Sequence, residues 1–216
     1  MNKNDISALR QEYASHILTE TEINPDPFTQ FNIWFKEATE AQEPEPNAMA
    51  LATAEISGKP SNRMVLLKGI EEGGFCFFTN YLSKKGEHLS ENPFAALLFW
   101  WYTLERQIRI EGKVELLDPL KSDNYFKSRP IGSQVGAIAS PQSQIIENRA
   151  DMEARFASEW EKYQETSIVQ RPDYWGGYVL IPDLFEFWQG RPNRLHDRIQ
   201  FKLNEHGEWV MNRLAS

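Results

Sequence analysis

Cysteine and histidine, the usual ligands of transition metals, are scarce in this sequence. Among 216 residues there is one cysteine, Cys76, and there are four histidines scattered between His16 and His206. A single cysteine excludes a disulfide framework and a cysteine-rich zinc site, and the scattered histidines form no ligand pair of the HExxH type. We therefore expect no metal centre. Cys76 lies between two phenylalanines of a predicted strand, where a packed side chain is favoured over a nucleophile.

Long apolar runs and nucleotide-binding signatures are also missing. No run of about 18 apolar residues exists to span a membrane, and the N-terminal segment lacks the apolar stretch of a secretory signal. We therefore expect a cytoplasmic protein with no membrane partner. The absence of GxGxxG, GxxxxGKS/T and GxSxG excludes a Rossmann dinucleotide site, a P-loop and a hydrolase nucleophile elbow.

The charge of the chain is negative but unevenly distributed. The net charge of −8 argues against non-specific binding to nucleic acid. Residues 61–133 and 188–216 nevertheless carry net charges of +1 and +2. In an acidic protein, these two segments are where we expect a small anionic ligand to bind.

Composition and hydrophobic periodicity favour one domain over residues 1–216. The chain is 41% hydrophobic and 12% aromatic, which is enough for one sizeable core. A period of two with short turns predicts strands at 47–56, 62–70, 75–80, 94–102, 105–117, 176–182, 184–190, 194–203 and 208–214. Helical signals predict helices at 5–18, from Pro27 after an Asp26 cap, from near Ser83, at 119–130 and at 148–164. We expect a mainly β fold with peripheral helices, an α+β protein built on a β-barrel.

The stretch GRPNRLHDRIQF, residues 190–201, places three basic side chains at every second position. In a strand, Arg194, His196 and Arg198 would share one face. Such a row is costly to assemble unless an anion lies opposite, and the alternative is an edge strand with solvated charges. Trp188, just upstream, is either a core aromatic or a wall beside a planar ligand.

Two lysine-containing stretches are candidates for an anion site. Arg63 and Lys68 stand at the ends of an apolar run, where strand alternation puts them on opposite faces. A shared ligand would therefore require a bulge or a ligand lying across the strand end. Thr79, Lys84 and Lys85 lie at a strand-to-helix junction, which is either a phosphate site at a helix N-terminus or a solvated lysine pair.

A phosphate clamp is predicted around the end of the helix at 119–130. Tyr125, Arg129 and Ser133 follow one another at intervals of four, and a tyrosine hydroxyl, a guanidinium and a serine hydroxyl that converge can hold a phosphate. Because Pro130 interrupts the helix, we expect Ser133 to cap the segment that follows. Gln107, at the start of a strand, is either a further polar ligand or a surface residue.

Together these stretches resemble one protein family. The motifs RMVLLK, FFTN, SKK, LERQ, YFKSRP, GSQVGA, QSQ, WGGY, FWQG and RLHDR occur in this order, from about Arg10 to the C-terminal NRLAS. On these motifs, of which RLHDR after FWQG is the most specific, the chain is similar to the pyridoxine/pyridoxamine 5′-phosphate oxidases. The resemblance implies an FMN-binding split β-barrel that acts as a homodimer, with FMN in clefts between the subunits.

The resemblance also implies a role for each candidate residue. The FMN phosphate and ribityl chain would be held by Arg63, Lys84, Lys85, Gln142 and Ser143. The rest of the cofactor would be surrounded by Met64, Val65, Leu66, Leu67, Lys68, Phe78, Thr79, Gln107, Trp188 and Arg198. The substrate phosphate would be bound by Lys68, Tyr125, Arg129 and Ser133. The pyridine ring would be covered by the catalytic pair Arg194 and His196, with Arg10 and Tyr13 closing over it from a helical lid at residues 1–20.

Two positions depart from the family pattern. Phe78 stands where the family often has tyrosine, so one hydrogen bond toward FMN would be missing. Lys84 replaces a frequent arginine, which gives a point charge in place of a bidentate fork. Both departures predict weaker retention of FMN and unchanged chemistry.

The reaction implied by the resemblance is the oxidation of pyridoxamine or pyridoxine 5′-phosphate to pyridoxal 5′-phosphate. Hydride would pass to the flavin, and dioxygen would reoxidise it with release of hydrogen peroxide, together with ammonia from the amine. Two alternatives are a non-catalytic split-barrel carrier or sensor and a reductase with another substrate. Both are disfavoured because the substrate residues Tyr125, Arg129, Ser133, Arg194 and His196 are all present.

Overall fold

The computed structural model describes residues 12–13, 16–163 and 168–216. Within them the helices are α1 (Pro27–Glu40), α2 (Lys84–Glu91), α3 (Pro119–Ser128), α4 (Ile131–Ala139) and α5 (Arg149–Tyr163). The strands are β1 (Ala48–Ala54), β2 (Pro60–Leu66), β3 (Gly69–Glu71), β4 (Gly74–Asn80), β5 (Phe94–Trp101), β6 (Arg106–Leu116), β7 (Trp175–Gln189), β8 (Asp197–Leu203) and β9 (Trp209–Arg213). Arg10 and most of the helix predicted at 5–18 lie outside the described residues. At the end of that predicted helix, residues 16–18 are not helical.

All of these strands belong to one sheet. The strand order is β2-β1-β5-β6-β7-β4-β3, and β8 and β9 continue from β7. The β3–β4, β4–β7, β7–β8 and β8–β9 pairs are antiparallel. With five helices among the described residues, the predicted mainly β class with peripheral helices is confirmed.

The described chain forms two compact units. Unit 1 comprises the described residues of Met1–Met49 with Leu97–Ile110 and Asp183–Ser216, and unit 2 comprises Ala50–Ala96 and Glu111–Pro182. The folding of residues 1–216 as one domain stays a prediction. The candidate site residues are therefore located by unit below.

The core of unit 1 is aromatic and is organised by α1. Asp26 caps this helix by accepting a hydrogen bond from the Thr29 backbone N–H at 2.8 Å, and Pro27 at the first position has no N–H to satisfy. Phe31 lies 5.2 Å from Phe99, between ring centres, in an edge-to-face contact. Trp34 lies in the same apolar stripe of the helix and is also buried. The helix start and its apolar face, both predicted from the sequence, are confirmed.

The core of unit 2 contains a helix that the sequence did not predict. Val135 of α4 is buried in a cluster with Phe126 and Trp175. Two glycines among the nine residues of α4, Gly132 and Gly136, weaken the helical signal, since glycine is a poor helix former. Tertiary packing overrides this local preference.

Three strand predictions need correction. The strand predicted at 62–70 breaks after Leu66, and a separate short strand starts at Gly69. The strands predicted at 176–182 and 184–190 form the single strand β7, in which Pro182 lies between the part that pairs with β4 and the part that pairs with β8. Neither of these two pairings requires the N–H that proline lacks. The strand predicted from residue 194 begins only at Asp197.

Asp26→Ala is expected to lower the free energy of unfolding by about 1 kcal/mol, because the Thr29 N–H loses its acceptor at the start of α1. Denaturant unfolding of the two proteins measures this difference. Asp26→Asn keeps a side-chain oxygen at the same place and should cost much less. Equal losses for the two variants would show that Asp26 contributes something other than the cap.

Candidate cofactor and substrate site

The break between β2 and β3 decides how two basic residues are displayed. Arg63 lies in β2, and Lys68 lies in the two-residue gap after Leu66, where strand alternation no longer applies. Both side chains line one pocket in unit 2. The irregularity that a shared ligand would require is therefore present.

This pocket has a volume of about 540 Å³ and gathers most of the predicted residues. Its lining comprises Arg63, Met64, Val65, Leu66, Lys68, Phe78, Thr79, Lys85, Tyr125, Arg129, Pro130, Ser133, Gln142 and Trp175. Four of these side chains are cations and none is a carboxylate. A concave surface with this charge is suited to an anionic ligand.

Lys85 is the most enclosed of these cations. Its side chain is held inside unit 2 by three neutral oxygens, at 3.0 Å from Thr79 Oγ1, 3.2 Å from Ser83 Oγ and 3.0 Å from Gln142 Oε1. Burial, and secondly the charge of Arg63, lower the pKa of Lys85 to about 8. The interpretation of Lys84 and Lys85 as a solvated pair is wrong for Lys85, which is 9% exposed.

The Gln142 side chain fills an acceptor position beside this cation. Its Oε1 also accepts a hydrogen bond from the Thr79 hydroxyl at 3.1 Å, while the residue as a whole is exposed. The amide oxygen thus stands where an oxygen of an anionic ligand could accept the same two hydrogen bonds.

Arg129 lies at the end of α3 with an unsatisfied donor. It adopts an extended backbone conformation before Pro130, which is the preference of a residue that precedes proline. Gln134 Nε2 donates a hydrogen bond to its backbone carbonyl at 2.7 Å. The guanidinium lies 4.8 Å from the ring centre of Trp175. Its Nη1 is buried without a hydrogen-bond partner among the described residues, and burial lowers the pKa of Arg129. A buried donor of this kind is costly unless a ligand accepts from it.

Three stacked aromatic rings form one wall of the pocket. Phe78 lies 3.9 Å from Tyr125 and 5.7 Å from Trp175, between ring centres, with near-parallel planes. Lys68 Nζ lies over the Tyr125 ring, 6.0 Å from its centre, in a cation–π contact. Phe78, the position that departs from the family pattern, therefore supports Tyr125 by stacking.

The structure places the remaining unit 2 candidates outside this pocket. Leu67 is buried. Lys84 and Ser143 line a separate pocket of about 470 Å³, which shares Gln142 with the first. Ser133 lies within the first turn of α4, where Pro130 occupies the cap position, so the prediction that Ser133 caps the segment is wrong.

The candidates of unit 1 form an aromatic cluster. The ring of Tyr13 lies 5.7 Å from Trp188 and 5.8 Å from His196, and Trp188 lies 4.6 Å from His196. Gly190 makes this possible, because a Cβ there would lie 2.6 Å from the Tyr13 Cβ. The backbone N–H of Arg191 donates to His196 Nδ1 at 3.1 Å, which places the imidazole proton on Nε2.

The expected row of three cations on one strand face is not present. Arg194 lies in a 3₁₀ turn with a φ of 61°, and His196 precedes β8, so only Arg198 is a strand residue. Arg198 Nε donates to Glu186 Oε1 at 2.8 Å. Glu186 is 2% exposed and also accepts from Arg109 at 2.7 Å. The anion opposite Arg198 is therefore a carboxylate of the protein itself.

Electrostatics favour a neutral imidazole in this cluster. Burial, and secondly the positive charge of Arg194, lower the pKa of His196, and Asp197 opposes them. His196 therefore carries no charge at neutral pH and offers its Nε2–H as a donor.

Gln107, the remaining candidate of unit 1, is half-buried in β6.

Sequence reasoning missed three residues of the site. Trp175 and Pro130 line the pocket of unit 2, and Gly190 admits Tyr13 in unit 1. Trp175 and Gly190 belong to the WGGY and FWQG motifs, so a motif can mark a site without indicating which member acts.

Cys76 is buried, and burial raises the pKa of its thiol to about 11, which agrees with the prediction of a packed side chain.

Two further features of the described residues bear on ligand type. No group of three or more histidine, cysteine, aspartate and glutamate side chains among residues 12–13, 16–163 and 168–216 has the arrangement of a metal site. In the same part of the chain, no helix has both the length and the apolar character needed to cross a bilayer.

Comparison with known proteins gives a consistent family. A family model described as pyridoxamine 5′-phosphate oxidase matches residues 35–163, and a model described as the pyridoxine 5′-phosphate oxidase C-terminal dimerisation region matches residues 175–216. The pyridoxine/pyridoxamine 5′-phosphate oxidase of Synechocystis sp. is 52% identical over 210 residues, which cover 97% of both chains. The enzyme of the same name from Paraburkholderia phymatum is 52% identical over 97% of this chain and 98% of its own.

Solved structures show the fold of this chain. PhzG from Burkholderia lata, in complex with tetrahydrophenazine-1-carboxylic acid, has a TM-score of 0.86 at 28% identity and covers 94% of this chain and 100% of its own. A pyridoxamine 5′-phosphate oxidase-related, FMN-binding protein from Nostoc punctiforme has a TM-score of 0.69 at 15% identity, over 90% and 100% of the two chains. The predicted fold class, the split β-barrel found in FMN-binding proteins, is thereby confirmed.

The desolvation of Lys85 predicts how the stability of the ligand-free protein depends on pH. The pKa of Lys85 is about 8 in the folded protein, whereas the ordinary lysine pKa of 10.5 applies to the unfolded chain. Between these two pH values the unfolded chain binds more protons than the folded protein, so stability rises with pH. Relative to Lys85→Met, the wild-type free energy of unfolding should rise by roughly 3 kcal/mol from pH 7.5 to 10.5.

Denaturant titrations of both proteins across this pH range check the prediction. Lys84→Met removes the exposed neighbouring lysine and is the matched control, which should keep the rise because Lys85 is still present. A constant difference between wild type and Lys85→Met would show that Lys85 is not desolvated in the ligand-free pocket.

Proposed function

The chain is an oxidase of the pyridoxine/pyridoxamine 5′-phosphate oxidase family, and from this premise we propose that its unit 2 pocket holds FMN and a phosphorylated pyridine. The product is pyridoxal 5′-phosphate, with dioxygen as the electron acceptor and hydrogen peroxide released. Ammonia is also released when the substrate is the amine. The reaction belongs to the biosynthesis and salvage of that vitamin B6 cofactor.

The observation that carries the proposal is the presence of two cation pairs in one pocket. Arg63 acts electrostatically on Lys85, whose pKa burial has already lowered. Lys68 and Arg129 share Tyr125 as a neighbour, since the first lies 6.0 Å from its ring and the second interacts with it electrostatically. Two anion positions suit a cofactor with one phosphate and a substrate with another.

The residues fit the phosphate of FMN at the first pair. Arg63 and Lys85 supply charge, and the Gln142 amide can exchange its accepting role for a donating one when a phosphate oxygen replaces it beside Lys85. The apolar side chains of Met64 and Leu66 and the backbone around them are suited to the flavin ring. The chemistry that bound FMN supplies is two-electron acceptance from the substrate carbon, with dioxygen as the final acceptor.

The second pair suits the substrate phosphate. The unsatisfied Nη1 of Arg129 provides a buried donor, while Lys68, the Tyr125 hydroxyl and Ser133 line the same pocket. A guanidinium and an ammonium bind a phosphate through charge-assisted hydrogen bonds, which fix its position as well as its affinity. The phosphate would thus anchor the pyridine ring for reaction.

Arg194 and His196 are proposed to act on the pyridine ring. The neutral imidazole of His196 donates from Nε2 without adding charge, and Arg194 is an exposed guanidinium that can stabilise developing negative charge. Tyr13 lies against His196 and is suited to covering the ring from the N-terminal segment. In unit 1, Trp188 and Arg198 are proposed to contact the flavin.

The active form is proposed to be a homodimer in which each site uses residues of both chains. The segment that matches a dimerisation region, residues 175–216, contains Trp188, Arg194, His196 and Arg198. The candidate residues outside this segment include the four cations of the unit 2 pocket. Assembly and catalysis would then depend on the same segment.

Arg129→Ala is expected to weaken the binding of pyridoxamine 5′-phosphate by roughly 2–5 kcal/mol, because the phosphate loses a half-buried guanidinium whose Nη1 is fully buried. KM should rise far more than kcat falls, as measured by peroxide release. The activity on unphosphorylated pyridoxamine should change little. Lys127→Ala, an exposed cation two residues earlier, is the control.

Chromatography of the flavin released by denaturation completes this test, with FMN as the expected cofactor. Recovery of FAD would contradict the cofactor assignment. A flavin-containing protein that releases no peroxide would support the carrier or sensor alternative. An unchanged KM in Arg129→Ala would remove Arg129 from the phosphate site.

Mixing two impaired variants tests the shared site, when activity is assayed at a pyridoxamine 5′-phosphate concentration well below the KM of Arg129→Ala. If each site takes Arg129 from one chain and Arg194 from its partner, an Arg129→Ala/Arg194→Ala mixed dimer has one intact site and one doubly defective site. Random exchange of equal amounts should then restore about one quarter of wild-type activity. No recovery after verified subunit exchange would mean that a single chain supplies both residues.

A further inference from the structure

Arg63 is anchored to β1 through one nitrogen of its guanidinium. Nη1 donates to the backbone carbonyl of Leu51 at 2.9 Å and to the Thr53 hydroxyl at 2.7 Å. Leu51 and Thr53 occupy buried positions of β1. Both hydrogens of Nη1 are thereby used. Nε and Nη2 of Arg63 are left to address the pocket that this side chain lines.

The Thr53 hydroxyl links this guanidinium to a buried histidine. Thr53 Oγ1 lies 3.2 Å from Nδ1 of His88. His88 belongs to α2 and is 4% exposed, and its Nε2 lies 3.7 Å from Glu55 Oε1. A continuous polar chain therefore runs from a carboxylate, through His88 and Thr53, to Arg63.

The donors and acceptors of this chain favour one tautomer of its histidine. Thr53 Oγ1 accepts the hydrogen bond from Arg63, and its own hydrogen has His88 Nδ1 as the acceptor within reach. The imidazole then carries its proton on Nε2, on the side of Glu55. A buried hydroxyl that both accepts and donates in this way is fixed in rotation.

We propose that His88 is a positioning residue for the Arg63 that binds the FMN phosphate. By accepting from Thr53, His88 orients the hydroxyl oxygen toward Nη1 and holds the free edge of the guanidinium toward the pocket. His88 itself does not line that pocket, but it lines the neighbouring one that contains Lys84 and Ser143. The inference rests on the proposed function, because it takes the anion at Arg63 to be the phosphate of FMN.

A packing role for His88 makes the opposite prediction for two substitutions. His88→Leu fills the space but cannot accept from Thr53, whereas His88→Asn is smaller but places an amide oxygen close to the position of Nδ1. If His88 acts by packing alone, His88→Leu should bind FMN better than His88→Asn. If His88 acts through the polar chain, His88→Asn should bind FMN better than His88→Leu.

The test compares FMN with riboflavin, which is the same flavin without its phosphate. Affinities are measured by flavin fluorescence on flavin-depleted protein, and FMN release is followed from the holoenzyme. His88→Leu should lower the affinity for FMN about tenfold, the usual effect of one lost hydrogen bond. It should leave the affinity for riboflavin unchanged. His88→Asn should stay within about threefold of wild type. Ser90→Ala, an exposed change in the same helix, should have no effect.

Thr53→Val provides a second route to the same answer. It removes the hydroxyl between His88 and Arg63 and should weaken FMN at least as much as His88→Leu. The double variant should be no worse than Thr53→Val, because both changes act through Arg63. If His88→Leu does not fold, Thr53→Val against His88→Asn decides the question.

Several outcomes would overturn the proposal. They are an unchanged FMN affinity in His88→Leu, an equal loss of affinity for FMN and riboflavin, and weaker FMN binding by His88→Asn than by His88→Leu. A wild-type protein that binds FMN and riboflavin equally would instead refute the phosphate position in the proposed function, and the role of His88 would fall with it.

Discussion

The structure of the site depends on one electrostatic constraint, the collection of four cations in a pocket without a carboxylate. Arg63, Lys68, Lys85 and Arg129 are brought together by strands and helices whose own packing supplies the necessary stability. Desolvation of Lys85 and the unsatisfied Nη1 of Arg129 both oppose folding in the absence of a ligand. An anion removes both costs, so ligand binding and the stability of unit 2 are coupled.

Unit 1 uses the opposite arrangement around Arg198. There the carboxylate of Glu186 is buried between Arg109 and Arg198, and the charges are balanced within the protein. Removing Glu186 would take away the buried carboxylate that both arginines share. In unit 2, basic residues line a pocket without a carboxylate, whereas in unit 1 Arg198 is paired with a carboxylate of the fold.

The sequence was sufficient for the features that follow from local chemistry. The Asp26 cap, the proline after it and the apolar stripe of α1 are encoded within a few residues. The cations of the pocket were candidates from strand ends, a helix start and a helix end, and the family resemblance supplied their roles. The break after Leu66 was not predictable, because it depends on the pairing of β3 with β4. Pro182 led to the wrong prediction of two separate strands for the same reason. A proline is tolerated inside β7 only because different strands pair with the two parts of β7 on either side of it. His88 gave no signal at all, because the contact with Thr53 joins residues 35 positions apart.

Gln142 has a consequence for the way an anion enters the pocket. Its amide oxygen accepts hydrogen bonds from Lys85 and Thr79. At Lys85 and Thr79, entry of an anion is therefore a replacement of one acceptor by another, in which a charged oxygen takes the place of a neutral amide oxygen. The net gain is electrostatic, so dissolved salt and the ionisation of the incoming phosphate govern occupancy more strongly than the geometry of the contacts.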